Sequence, residues 1–428
     1  MTNIVFISAD DMSYNSTGYS GCEFPDVTPN IDKLASEGVF FKNAHTTVGL
    51  CQPSRSVWMT GLYPWNNGAT GFDPIYNNIT SLIDVLKKNG YTTGIIGKAE
   101  HVKPHMRFDW DYRLSGYSKL LKYGRDPKIF YDFCKPFLEN SPDPFFLMIN
   151  SHEPHREFPK KTKYDSYKVK VPGFLPDLPL IREELSQYYQ GVTNCDFLVG
   201  EVIRALKESK KYDDTLIIFT SDHGMAFPFC KANCYHFSSK VPLIWHFPKM
   251  LEHKEPDTFV SGIDIMPTML DFLNIKTDLK MDGNSYLETL KINKKFKDYV
   301  FTCLVKLYSG KYFETRAIHN KNLCFIKNYW SDGLRQFHED GSLDSNKSVI
   351  AIKNKNIDLY KKLRFRSPEE LYDLNLDPFA LKNIINEDKK NCNYMLKKLF
   401  NCALKTNDKK TINHFNLNKD SKYSNTFF

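Results

Sequence analysis

Short apolar runs of strand length recur through roughly the first 290 residues, each followed by a polar cluster and then by helical spacing. Ile4 to Ser8 is a buried-type strand that ends in Asp10-Asp11. Thr28-Pro29-Asn30 opens a helix over Ile31 to Glu37, and Gly38 supplies a C-terminal signal. Phe40-Phe41 begins an extended stretch. Leu82 to Lys88 is amphipathic and closes on Asn89-Gly90, after which the strand Thr92 to Ile96 delivers Gly97-Lys98. Pro144 to Asn150 is a strongly apolar strand, with His152 to Arg156 just past its end. Leu180 to Lys207 holds a long helical pattern. Thr215 to Thr220 is a buried strand leading into Ser221-Asp222-His223-Gly224. Val241 to His246 is another strand, and Pro267 to Leu273 continues a helix that starts near Asp264. Strands alternating with helices predict a layered α/β domain. The polar clusters fall repeatedly at the C-terminal ends of the expected strands, the edge where open α/β sheets bind ligands.

The texture changes near Asp298. Tyr299 to Val305, Glu314 to Ile318 and Leu323 to Lys327 read as antiparallel strands followed by helical stretches. The expected division is a large catalytic domain over 1–295, a smaller α+β domain over 296–410, and a loose polar tail over 411–428. The net charge of +8 is too thin for a dedicated nucleic-acid binder, so no nucleic-acid partner is expected. Such a charge would help to steer a polyanionic substrate. The ten cysteines are scattered without CxxC pairs, which argues against a zinc ribbon. Most are expected as buried thiols, with disulfides only if the chain is exported. No run has transmembrane length, so no membrane partner is expected. Ile4-Val5-Phe6-Ile7 is too short for a signal h-region, so the expectation is a cytoplasmic chain unless a leader precedes it.

Several clusters carry candidate chemistry. In Leu50-Cys51-Gln52-Pro53-Ser54-Arg55, followed by Met59-Thr60-Gly61, Arg55 lies one helical turn from Cys51. Taken alone, this is a buried cysteine with an arginine on a helix. Asp10-Asp11 alone is a turn or cap, and Asp222-His223 an ordinary turn. Together, three carboxylates and one more ligand make a site for a hard divalent cation. The other clusters are Gly90-Tyr91-Thr92-Thr93 through Gly97-Lys98-Ala99-Glu100-His101, Ser151-His152-Glu153-Pro154-His155-Arg156, and Phe227-Pro228-Phe229-Cys230-Lys231. A lone loop histidine or surface lysine is the bland reading of the last two.

Cys-x-Pro-Ser-Arg with a following Thr-Gly is similar to the sulfatase signature. Gly-Tyr-x-Thr-x-x-x-Gly-Lys followed by His resembles that family's second signature. Five matches stand in the family's order across roughly residues 3 to 290. The resemblance implies an alkaline phosphatase-like α/β large domain with a central mixed sheet between helices. It also implies a smaller C-terminal α+β domain with an antiparallel sheet. It implies that a formylglycine-generating enzyme oxidises Cys51 to formylglycine, whose hydrate is the nucleophile, and that Arg55 neutralises the adduct. One Ca2+ would be held by Asp10, Asp11, the converted Cys51, Asp222 and His223. Lys98 and Lys231 would hold sulfate oxygens. His101 would remove a proton from the hydrate, with Glu100 as the weaker rival, and His155 would be the general acid.

His223 stands where Asn is more frequent, and Lys-x-x-His replaces the commoner Lys-x-His. Iduronate-type sulfatases share both features. Other phrases, Pro154-His155-Arg156 and Phe219-Thr220-Ser221-Asp222 among them, are closest to the sulfamidase branch. That likeness implies N-sulfated glucosamine of heparan-type glycosaminoglycans as substrate, with S–N cleavage. The alternatives are an O-sulfate ester sulfatase of iduronate or aryl type, a phosphodiesterase or phosphonate hydrolase of the same fold, and a non-catalytic glycan-binding module. The oligomeric state stays open, a dimer included.

Overall fold

A strand that is apolar on both sides must be covered on both sides. In the structure, a computed structural model that describes residues 2–101, 109–114, 125–337 and 344–417, the N-terminal run lies at the middle of a sheet. The strands are β1 (Asn3–Ala9), β2 (Val39–Phe40), β3 (Asn43–His45), β4 (Thr92–Ile96), β5 (Tyr112–Leu114), β6 (Phe145–Asn150), β7 (Thr215–Ser221), β8 (Leu243–His246) and β9 (Phe259–Ser261). β10 (Tyr299–Lys306), β11 (Tyr312–Asn320), β12 (Leu323–Asn328) and β13 (Glu369–Asp373) follow.

Seven strands form the main sheet in the order β2-β8-β7-β1-β6-β4-β5. From β7 to β5 all neighbours are parallel, whereas β8 runs antiparallel to both β7 and β2. The sheet is therefore mixed, as expected. Side chains alternate between two cores with the period of two that a pleated strand imposes. Val5, Ile7 and Ala9 of β1 enter one core, with Leu147, Ile149, Ile217 and Phe219. Ile4 and Phe6 enter the other, with Phe146, Met148, Leu216 and Ile218.

Helix α1 (Pro29–Glu37) and the helices Pro127–Asn140 and Pro179–Glu208 cover the first face. Helix α2 (Cys51–Thr60) and the helices Leu82–Lys88 and Ile265–Phe272 contribute to the second. The strand expected from Val241 starts instead at Leu243. Pro242 has no N–H for the ladder, although the Val241 amide still reaches the Ala44 carbonyl at 3.1 Å.

β10 to β13 form a separate antiparallel sheet in chain order. It is sewn to the large domain by backbone bonds from Cys303 to Thr47 (2.9 Å) and from Lys306 to Thr70 (3.1 Å). One apolar cluster contains residues from both parts, Val57 and Tyr63 together with Phe301 and Leu304. Packing is therefore continuous across the boundary expected at 295. The helix Lys409–Leu417 runs through the start of the expected tail. Asp408 accepts the Thr411 hydroxyl at 2.6 Å, and Phe415 packs on Phe400. Residues 418–428 lie outside the described residues. All ten cysteines are free thiols. Among the described residues, no helix is long and apolar enough to cross a membrane.

Candidate active site

β7, β1, β6 and β4 are neighbours in the sheet and parallel, so their C-terminal ends share one edge. The loops leaving them carry Asp222-His223, Asp10-Asp11, His152–His155 and Lys98. Helix α2 brings Cys51 to the same place, at the helix N-terminus and 2% exposed. Two turns there adopt left-handed backbone at non-glycine residues, Asp11 (φ 67°) and Lys98 (φ 47°), conformations that gather at functional sites. Gly97 (φ 73°) precedes Lys98 because a Cβ there would collide with the Asn150 carbonyl oxygen.

Ligand atoms of Asp10, Asp11, Cys51 and His223 all lie within 4.8 Å of one another, and all four residues are buried. His223 Nδ1 sits 2.9 Å from the Gly224 carbonyl oxygen, so that nitrogen carries the proton. Nε2 is left facing the cluster, 3.1 Å from Asp11 Oδ1 and 3.2 Å from Cys51 Sγ. Both Asp10 carboxylate oxygens are buried, and their partners are charges, the Lys98 ammonium and, at 3.8 Å, Arg55 Nη2. Buried carboxylate oxygens clustered with an imidazole Nε2 are a donor set that fits a divalent cation.

Asp222 stands one step back. Its Oδ1 accepts the Asp11 and His223 amides (3.0 and 2.9 Å), and its Oδ2 accepts Arg55 Nε and Nη2 (3.1 and 3.0 Å). Burial and the Asp10 charge raise the Asp222 carboxyl above its ordinary value. For Asp10, burial acts in the same upward direction, but the Lys98 charge foremost, with Arg55, outweighs it and holds the carboxyl low.

Arg55 is held inside the fold. Helix α2 is buried along its whole length, so this guanidinium has no solvent to face. Nη1 donates to Ser8 Oγ (2.9 Å) and Asn150 Oδ1 (2.8 Å), and Nη2 lies 3.8 Å from Asp10. Arg55 therefore ties the ends of β1, β6 and β7 together beneath the carboxylates.

Lys231 donates to both Asp11 oxygens (2.9 and 2.8 Å), and Lys98 pairs with Asp10. Burial opposes the Lys231 charge, but Asp11 foremost, then Cys51 and Asp10, hold its amine well above the usual range. Burial pushes the Cys51 thiol well up, the three acids add to this, and Lys231 only partly opposes it. The thiol is thus not an activated thiolate.

His155 Nε2 lies 3.8 Å from Asp11 Oδ2, and its Nδ1 contacts the Arg156 carbonyl oxygen. Burial, then Lys231 and Lys98, depress this imidazole, so it is neutral here. His101 ends the short turn Ala99–His101 and is buried, and burial and Lys98 likewise keep it neutral. The Glu100 side chain lies outside what the structure describes.

Three supports were not singled out from the sequence. Ser8 and Asn150 pair in register across β1 and β6 and meet through their side chains at 2.8 Å. Arg125 binds the Glu153 carboxylate (2.7 Å) and the His155 carbonyl (2.8 Å), and the Glu153 carbonyl accepts the Asp10 amide at 3.2 Å. The His155 loop is thereby fixed to the metal-site turn. A polar residue closing each apolar run was the one signal for Ser8 and Asn150.

The sulfatase family model matches residues 2–275. A model of the C-terminal part of N-sulphoglucosamine sulphohydrolase matches residues 222–331. The chain is 28% identical to N-sulphoglucosamine sulphohydrolase of Homo sapiens, over 90% of this chain and 86% of that protein. It is 29% identical to an ulvan-active sulfatase of Formosa agariphila, over 89% of this chain and 75% of that protein. The phosphonate monoester hydrolase of Agrobacterium radiobacter superposes with a TM-score of 0.74 at 18% identity, covering 95% of this chain and 96% of that one. A protein solved with its substrate D-glucosamine-2-N,6-O-disulfate superposes with a TM-score of 0.71 at 18% identity, covering 95% and 98%. These two likenesses show a shared fold. With the family model spanning residues 2–275 of 428, the chain belongs to the sulfatase family, and it is a hydrolase of sulfate esters or sulfamates.

Proposed function

We propose that this hydrolase removes sulfate from sulfated sugars, and specifically cleaves the S–N bond of N-sulfoglucosamine at the non-reducing end of heparan-type chains. The nucleophile is formylglycine at position 51, and the cation is calcium. The observation that carries the reading is the meeting of Cys51 with the donor atoms of Asp10, Asp11 and His223, all within 4.8 Å. The likeness of residues 222–331 to the C-terminal part of N-sulphoglucosamine sulphohydrolase supports the substrate.

Asp10, Asp11 and His223, with Asp222 beside them, would hold the cation, and conversion of Cys51 replaces a soft sulfur by oxygen, the donor that calcium prefers. Three carboxylates face three fixed cations, Arg55, Lys98 and Lys231, so the protein alone offers an anionic sulfate no surplus positive charge. A bound divalent cation supplies that surplus and polarises the sulfate oxygens. A formylglycine hydrate puts two oxygens on one carbon, one to attack sulfur and one to expel sulfate as the carbonyl re-forms. Lys98 and Lys231 bind sulfate oxygens. His101, neutral, takes the proton from the hydrate. His155 gives a proton to the departing nitrogen or oxygen. The incoming sulfate offsets Lys98 and Lys231, the charges that depress His155 after burial, and so favours its protonated form.

This role makes leaving-group basicity decisive. His155→Ala should slow release from sulfated sugars by about 10²–10⁴-fold and barely affect activated aryl sulfates, whose leaving groups need no proton. Parallel rate measurements on both substrates check this, and equal losses would remove His155 from the acid role. The substrate reading is tested by sulfate release from N-sulfoglucosamine and 6-O-sulfoglucosamine, using enzyme produced with a formylglycine-generating partner. Release from the N-sulfated sugar alone is expected. Release from the O-sulfated sugar alone would move the reading to an ester sulfatase.

A further inference from the structure

The segment 68–81 between two helices has no regular element, yet it is held from both sides. Gln52, next to Cys51, donates its side-chain amide to the Asp73 carbonyl at 2.8 Å. From the other side, Lys306 donates its amide to the Thr70 carbonyl (3.1 Å) and its ammonium to Asp73 Oδ2 (2.7 Å). The loop therefore joins the helix bearing Cys51 to the β10–β11 hairpin.

A row of rings runs outward from the site. His101 meets Phe72 edge to face with centroids 5.7 Å apart, and Phe72 meets Tyr308 at 4.9 Å and 90°. Exposure rises along it, from 8% at His101, through half-buried Phe72, to 71% at Tyr308 in the β10–β11 turn. Nearby, Tyr312 is 56% exposed, with the Lys306 ammonium 5.2 Å from its ring centroid. A file of ring contacts that leads from a buried histidine of the site to an exposed tyrosine offers a bound ligand a face to cover. An amphipathic tyrosine ring suits the apolar C–H face of a pyranose while its hydroxyl stays wet.

We propose that Tyr308, backed by Phe72, forms a subsite that stacks the sugar ring next to the sulfated one. This rests on the sulfated-glycan reading above. Two ring contacts separate Tyr308 from His101, so the ring it meets is a neighbour of the unit being desulfated.

Tyr308→Ala removes an exposed ring and touches no catalytic group. The KM for a sulfated disaccharide or tetrasaccharide should rise about 5–10-fold, with kcat nearly unchanged and the KM for the sulfated monosaccharide unaltered. Tyr308→Trp, which keeps a stacking face, should restore the oligosaccharide KM. Equal changes on monosaccharide and oligosaccharide, or none on either, would overturn the subsite. Wild-type enzyme that cleaves an aryl sulfate but no sulfated saccharide of any length would overturn the glycan reading, and the subsite with it.

Discussion

Cys51→Ser should transfer one sulfate per chain and then stop, whereas Cys51→Ala should transfer none. Steady-state sulfate release should fall at least about 10⁴-fold in both, as when a covalent nucleophile is removed. The difference between them follows from counting oxygens. Serine offers one hydroxyl, which can accept sulfate but has no second oxygen to expel it. Alanine offers none. Both side chains fit the space of a buried cysteine at the first turn of α2, so folding should survive. Intact-mass spectrometry after incubation with substrate reads the result as one added sulfate on the serine variant and no addition on the alanine variant. Continued turnover by Cys51→Ser would mean that the attacking oxygen comes from elsewhere. An active wild-type preparation with unconverted Cys51 would sink the formylglycine reading outright.

Much of this architecture is legible in the sequence because the central strands are buried on both faces. A continuous apolar run closed by a polar cluster marks both a strand and its end. The expected Thr92 to Ile96 is β4, and the expected Pro144 to Asn150 and Thr215 to Thr220 each differ from β6 and β7 by one residue. The same runs aim their closing clusters at one edge, so the order of motifs along the chain already implied a shared site. The helix Lys409–Leu417 escaped because, among its described side chains, only Thr411 and Phe415 are buried, too few to mark a face in a stretch rich in Lys and Asn. Phe72 and Tyr308 carry no local pattern at all. Their meeting depends on a loop and a hairpin that are far apart in sequence.

Arg55 shows the limit of local spacing most clearly. Spacing places it one turn beyond Cys51, which suggests contact with the reacting group. Spacing does not show that α2 is buried along its length, or that the guanidinium meets Ser8 and Asn150, 47 and 95 residues away. The consequence is a prediction about stability as well as rate. Arg55→Ala should destabilise the fold by about 3–5 kcal/mol, because it strands Asp222 and Asp10 as buried charges without their shared counter-ion. Arg55→Lys should recover only a fraction, since an ammonium cannot bridge Asp222, Ser8 and Asn150 as a planar fork does. Sulfate release should fall at least about 10²-fold in both variants, from misplacement of the carboxylates. Urea unfolding of the purified variants, followed by circular dichroism, separates the two roles. A wild-type midpoint with a large loss of kcat would return Arg55 to direct contact with the sulfate. A lowered midpoint, with activity partly recovered at high calcium, would establish it as the pin beneath the metal site, because a cation that binds only the folded state offsets lost stability by mass action.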